Sequence, residues 1–252
     1  MGTALRDRLA GATFLTRADL DVSDAGAVGS ALRTGDVVVH TAAMTDVDGC
    51  ERDPDAAFAV NAEGAANIAV SGARVILLST DYVFDGRAER AYREDDPTRP
   101  LSTYGRSKLA AERVVLERPG NLVVRTSWVY GAGRNFIRSI LAAERAGRQL
   151  RVVDDQRGRP TWAGDLAAAL VYLIEQGAAG IVHVSGDGDP CTWADLAEVV
   201  VDHPVERISS AEFGAAAVRP RSSVLDLGQA RALGVPLADW RGSVRRYLEV
   251  ER

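Results

Sequence analysis

Tyr104 and Lys108 stand four residues apart in Tyr104-Gly105-Arg106-Ser107-Lys108, and on a helix that spacing puts both side chains on one face. A phenol with an ordinary pKa near ~10 exchanges protons poorly at neutral pH unless a neighbouring cation favours its phenolate. Lys108 supplies that cation. It is also the only lysine among 30 basic residues, all others being arginine. A guanidinium stays charged in proteins, whereas the pKa of an ammonium responds to its surroundings, which singles this lysine out. A second group of reactive types is Ser79-Thr80-Asp81-Tyr82-Val83-Phe84-Asp85-Gly86, directly after the apolar run Val75 to Leu78. In open α/β sheets the carboxyl ends of strands form the ligand crevice. A hydroxyl, a phenol and an amine converging there suit protonation of a carbonyl oxygen as hydride arrives at its carbon.

The elements that must position these groups are readable as alternating patterns. The runs Val37 to Val39, Val75 to Leu78, Leu122 to Val124 and Ile181 to Val184 are β-branched and nearly continuous, as strands covered on both faces are. A weaker strand is expected at Ala12 to Thr16. Between them Asp24 to Arg33, Pro54 to Ser71, Tyr104 to Glu117, Phe136 to Ala146 and Asp165 to Glu175 carry Ala, Leu and Arg at helical spacing. The alternation predicts an α/β fold with a doubly wound parallel sheet and helices on both faces. Past Gly186 the texture changes. A capping-box-like Thr192-Trp193-Ala194-Asp195 opens a stretch broken by Pro204, Pro220 and Pro236. The expected organisation is a dinucleotide-binding domain over 1–150 and a mainly substrate-binding region over 151–252, some of whose segments return to the sheet.

The chain has 252 residues and a formal charge of −5, with pI near 5.3. An acidic balance argues against nucleic acid or an anionic membrane as partner, since both reward a positive field. No apolar run approaches the ~20 residues needed to cross a bilayer. Two cysteines, Cys50 and Cys191, are too few for a disulfide framework, and the opening MGTALRDRLAG has no basic-then-apolar leader. A cytoplasmic location is expected. His40, His183, His203 and the cysteines show no ligand spacing, so no metal site is assigned.

Four ordered motifs now become informative: S-T-D-Y-V-F-D-G from Ser79, P-x-x-P-L-S-x-Y-G-x-S-K ending at Lys108, R-T-S-W-V-Y-G from Arg125 and D-Q-x-G-x-P-T from Asp155. R-P-R-S-S-V-L from Arg219 is a fifth. Together they resemble the extended short-chain dehydrogenases/reductases and, more narrowly, the dTDP-4-dehydrorhamnose reductase family, with its relatives that make dihydrostreptose and other deoxysugars. The resemblance implies NAD(P)H-dependent reduction of the C4 ketone of a dTDP-linked 4-keto-6-deoxy sugar. Tyr104 would be the proton donor, Lys108 would lower its pKa and hold the nicotinamide ribose, and Thr80 would hydrogen-bond the carbonyl. Cofactor contacts would come from Gly2, Ala42, Ala43, Thr45 and Ser79, and Asn61 would help fix the catalytic arrangement. Asp81, Tyr82, Trp128, Tyr130, Asn135, Gln156 and Arg159 would border the sugar nucleotide, with Arg219 on its diphosphate. Arg17 could meet a 2′-phosphate and Asp21 a ribose, so both NADPH and NADH stay open, with NADPH preferred. Mg²⁺, associated with some members of the family, also stays open, and a homodimer is implied. The family opens with a strand and a G-x-x-G-x-x-G turn that binds the pyrophosphate, whereas Met1-Gly2-Thr3 matches the end of that turn; if the 252 residues are the whole protein, weak or absent cofactor binding is expected. An alternative within the superfamily is a cofactor-poor regulatory or binding homologue, similar to the methionine adenosyltransferase regulatory subunit. An epimerase or dehydratase fits less well, because Asp81 follows Thr80 where many dehydratases carry an acid pair.

Overall fold

The structure, a computed structural model, describes residues 1–251. Helices α1 (Gly2–Arg6) and α2 (Ala25–Ala31) precede strand β1 (Val37–His40). The start of α2 is fixed by Asp24, whose carboxylate accepts from the Ala27 amide, a donor with no partner inside the helix. After α3 (Val47–Arg52), a helical run is built from α4 (Pro54–Phe58), a π-helical turn at Ala59–Glu63 and α5 (Gly64–Val70). Pro54 opens it at a position where a missing amide costs nothing. Strand β2 (Arg74–Thr80) runs straight into a 3-10 turn, Asp81–Val83, and α6 (Thr103–Leu116) leads to β3 (Leu122–Thr126).

Beyond β3 come β4 (Val129–Tyr130), α7 (Phe136–Arg145), β5 (Arg151–Val153), β6 (Arg157–Gly158), β7 (Thr161–Trp162), α8 (Ala163–Glu175) and β8 (Gly180–His183). The chain continues through β9 (Cys191–Thr192), α9 (Trp193–Val201), β10 (Glu206–Ile208), α10 (Ser210–Phe213), α11 (Gly228–Ala232) and α12 (Trp240–Glu251). The Thr192–Asp195 capping box is present at the start of α9, with both reciprocal hydrogen bonds made.

The main sheet is wholly parallel, in the order β1-β2-β3-β8. Its side chains alternate between two apolar layers, as the two-residue period of a strand requires. Val75, Leu77 and Val123 point toward a cluster with Val28 of α2, Ile68 of α5 and Val115 of α6. Ile76, Leu122, Val124 and Val182 point the opposite way, onto Leu166, Leu170 and Leu173 of α8. A third cluster joins Ile137 and Ile140 of α7 to Leu196 of α9 and to Trp240 and Val244 of α12. The register pairs Thr80 with Thr126 and Arg125 with His183, so the carboxyl ends of β2, β3 and β8 finish level.

One expected strand is not formed. Ala12 to Thr16 makes no ladder, because a strand requires a hydrogen-bonding neighbour and among the described residues no strand lies beside the outer edge of β1. Val37, on that edge, is 51% exposed. The remaining predicted strands and helices are found within a few residues of their expected limits.

Candidate active site

The site forms where β2 ends against the first turns of α6. Thr80 closes the strand, its hydroxyl accepting from the Tyr82 amide at 3.2 Å and donating to the Asp81 carboxylate at 3.0 Å. Ser102 caps α6, accepting from the Gly105 amide, and Glu51 of α3 grips the Thr103 amide and hydroxyl at 2.7 Å each. These two anchors fix the helix turn that carries Tyr104. Gly105 then allows the closest approach: a Cβ there would sit 2.2 Å from the Tyr82 carbonyl oxygen. As a result the Tyr82 and Tyr104 rings meet edge to face, with centroids 6.0 Å apart.

Tyr104 is partly exposed, and the Thr80 hydroxyl stands beside its phenol. Burial around the phenol is the largest influence on it and raises its pKa above the ordinary value; the Thr80 contact works in the opposite direction, and the Asp81 charge raises it further. Desolvation of the phenolate prevails, so the phenol stands above its ordinary value. Lys108 itself is only 2% exposed, and burial brings its ammonium down to about 8. Among the described residues no hydrogen bond or ion pair engages it. Asp81, 2% exposed, donates to no base but accepts from Ser223 and Thr80, and burial pushes its carboxyl up to about 7.

Behind the tyrosine, Asn61 occupies the π-helical turn with no exposed surface. Its amide donates to Ser107 Oγ at 2.9 Å and to the Met44 carbonyl at 3.2 Å, while its oxygen accepts from the Met44 amide at 2.7 Å. Ser107 in turn donates to the Tyr104 carbonyl. The asparagine thus ties the loop after β1 to the helix that carries Tyr104 and Lys108, and the extra residue of the π-turn is a local distortion frequent at functional sites.

Several predicted contacts prove to have other partners. Ser79 donates at 2.5 Å to buried Glu112. Arg219 directs its fork at Asp48, with contacts of 2.8 and 3.3 Å. Asn135 caps α7 and donates to the carbonyls of Gly131 and Gly133 and to the Tyr247 hydroxyl, so its amide is spent on the loop. Arg159 holds the carbonyls of Gly188 and Leu225, and Tyr130 is packed in the third core cluster beside Tyr247. Ser79, Arg219, Asn135 and Arg159 thus have protein partners that motif position does not reveal, whereas the buried Tyr130 hydroxyl has none.

Trp128 and Gln156 converge on a residue that the motifs did not include, Trp193. Its ring stacks on Trp128 at 3.6 Å between centroids, and its indole donates to Gln156 at 3.2 Å. Trp128 is held in the left-handed backbone region at φ 47°, and Gly158 lies under its ring, where a Cβ would come within 2.6 Å. Ala42 and Thr45 are exposed and Ala43 is partly exposed along the loop after β1. Gly2 starts α1 with open space where a Cβ would be, and Arg17, 84% exposed, lies 3.7 Å from Asp21. Ser107 and Ser223 lie within the quoted motifs but carried no predicted role, and Asp48 lies outside them. A cavity of about 640 Å³ is lined by Asp85, Arg87, Arg90, Tyr92 and Arg99, and neither Tyr104 nor Lys108 lines it.

A parallel sheet ending in a Thr–Tyr–Lys constellation, with an asparagine bracing the tyrosine helix, defines an oxidoreductase of the extended short-chain dehydrogenase/reductase class. The family model described as the RmlD substrate binding domain matches residues 1–252. The chain is 42% identical to the dTDP-4-dehydrorhamnose reductase of Streptomyces griseus, over 96% of this chain and 86% of that protein. It is also 42% identical to a probable dTDP-4,6-dihydroxy-2-methyloxan-3-one 4-ketoreductase of Streptomyces antibioticus, over 90% of this chain and 82% of that one. The crystal structure of dTDP-4-dehydrorhamnose reductase from Bacillus anthracis in complex with NADP superposes with a TM-score of 0.93 at 32% identity, covering 100% of this chain and 95% of that one. The chain belongs to the dTDP-4-dehydrorhamnose reductase family.

Proposed function

We propose that this protein reduces the C4 ketone of a dTDP-linked 4-keto-6-deoxyhexose, with Tyr104 as proton donor, in the making of L-rhamnose or a related deoxysugar. The observation that carries this reading is the grouping of Thr80, Tyr104 and buried Lys108 at the carboxyl end of β2, in a chain whose relatives are named as reductases of such sugars. A phenol whose pKa is raised by burial keeps its proton at neutral pH, which is what a donor to a forming alkoxide requires. Thr80 steadies the ketone oxygen beside that phenol. After transfer, the Lys108 ammonium offsets the phenolate charge.

Lys108, buried without a protein partner, fits the hydroxyls of a nicotinamide ribose, and the exposed Ala42 to Thr45 loop offers small side chains alongside. NADPH, when bound, supplies the hydride; the NADP complex of the Bacillus anthracis relative favours it over NADH. In this reading Gly2, Arg17 and Asp21 serve the cofactor's pyrophosphate and adenosine end. Asp81, Tyr82 and the Trp128–Trp193–Gln156 group form the sugar-nucleotide side, with 1–150 mainly serving the cofactor and 151–252 the substrate. Mg²⁺ receives no role: among the described residues no group of three or more His, Cys, Asp or Glu side chains is placed to hold a metal. A homodimer rests on the family resemblance, and a cytoplasmic location on the scarcity of cysteines. The reading is tested by following NADPH and NADH oxidation with dTDP-4-keto-6-deoxy sugar; consumption of the reduced cofactor only when the sugar is present supports it, and none with folded protein opposes it.

A further inference from the structure

Asp48 stands in the first turn of α3, and its carboxylate meets the C-terminal part of the chain at three points. Oδ1 accepts from the Ala217 amide at 2.8 Å and from Arg219 Nη1 at 3.3 Å, and Oδ2 accepts from Arg219 Nη2 at 2.8 Å. Glu51, three residues on and so on the same face of α3, grips Thr103 at the start of the helix that carries Tyr104. Four residues past Arg219, Ser223 donates to Asp81, the neighbour of Thr80. The segment 217–223 is therefore tied at one end to α3 and at the other to the turn after β2, and both of these pack against α6. Arg219 sits at the α3 end.

The pairing with Asp48 is end-on. Nη1 and Nη2 each direct one hydrogen at the carboxylate, and Nη1 also donates to the Ala217 carbonyl at 3.1 Å. A guanidinium carries five hydrogens, so two remain, one on Nε and one on the outer side of Nη2. They lie parallel along one edge, the arrangement that meets two oxygens of a phosphate group. Among the described residues no hydrogen bond engages Nε. The Arg219 side chain keeps 19% of its surface open to solvent, and the Tyr82 phenol stands beside the guanidinium. An arginine on its own loses rotamer freedom when it takes hold of a ligand. Here the carboxylate has already fixed the fork.

We propose that Asp48 is a positioning residue for the substrate: by holding the end of the Arg219 fork, it aims the Nε–Nη2 edge at the diphosphate of the sugar nucleotide. The proposal rests on the reading of the substrate as a dTDP-linked sugar. Calorimetric titration of dTDP, and of thymidine, which lacks the diphosphate, into native protein and Asp48→Asn tests it without turnover. Asparagine keeps an oxygen for the Ala217 amide but turns an N–H toward the fork, so Arg219 is released while the segment stays tied. By charge alone, removal of a carboxylate near an anion tightens dTDP; loss of orientation weakens it. The expected result is dTDP binding weakened about tenfold with thymidine affinity unchanged, and no further loss of dTDP affinity when Asp48→Asn is added to Arg219→Gln. In steady state, KM for the sugar rises while kcat holds. An unchanged or tighter dTDP affinity in Asp48→Asn, or an equal loss for thymidine, overturns the proposal and leaves the sugar-nucleotide reading in place. Native protein that binds no dTDP overturns both.

Discussion

The side-chain amide of Asn61 donates to Ser107 Oγ at 2.9 Å while its oxygen accepts from the Met44 amide at 2.7 Å, across separations of 46 and 17 residues. This one buried group sets the distance between the loop after β1 and the helix of Tyr104. Asn61→Ala leaves the Met44 amide and carbonyl and the Ser107 hydroxyl short of partners. Denaturant unfolding should show a loss of about 1–3 kcal/mol, and kcat should fall roughly tenfold or more as the tyrosine drifts. Native stability with native kcat in this variant would show that the brace is dispensable.

Gly158 lies under the Trp128 ring, and a methyl group there would come within 2.6 Å of it. Gly158→Ala must therefore displace Trp128 from its stack on Trp193, at a cost of about 1–3 kcal/mol for an overpacked contact. If these rings border the sugar nucleotide, KM for the sugar rises several-fold while kcat changes little, a pattern that steady-state kinetics separates. A fall in kcat at constant KM would place the rings elsewhere.

Asp81 gives the site a pH signature. Its carboxyl is raised from 3.8 to about 7, mainly by burial, and hydrogen bonds from Ser223 and Thr80 oppose the rise without cancelling it. The folded state thus holds a proton that the unfolded chain releases near 3.8. The stabilisation from that proton is complete below 3.8 and is lost as pH rises toward about 7. Asp81→Asn removes this dependence, so the difference in unfolding free energy between variant and native protein should shift in favour of the variant across that window and level off above it. A difference that stays flat from pH 4 to 8 would mean Asp81 titrates as an ordinary exposed carboxylate.

Local pattern determined what could be read early. The runs at Val75, Leu122 and Ile181 are continuous because both faces of their strands are covered, and the Tyr104–Lys108 spacing is a property of one helix, so the sheet, the helices and the pairing of Tyr104 with Lys108 on one helix were visible in the sequence. Ala12 to Thr16 misled because its composition suits a strand while its ladder depends on a neighbour, and no local pattern reports that. Long-range polar pairing was equally hidden. The fork of Arg219 meets Asp48 across 171 residues, and the hydroxyl of Ser79 meets Glu112 across 33. The stacking of Trp193 on Trp128 joins segments 65 residues apart, since 193 − 128 = 65, and depends on the bare Cα of Gly158 beneath it.

The central claim is that the Tyr104 phenol delivers the proton to the ketone oxygen. Steady-state reduction of dTDP-4-keto-6-deoxy sugar by NADPH, compared between native protein and Tyr104→Phe, tests it most directly, because the change removes one hydroxyl and little packing. The account predicts a fall in kcat of about 10²–10⁴ with KM for the sugar nearly unchanged. Turnover by the phenylalanine variant at the native rate would contradict it.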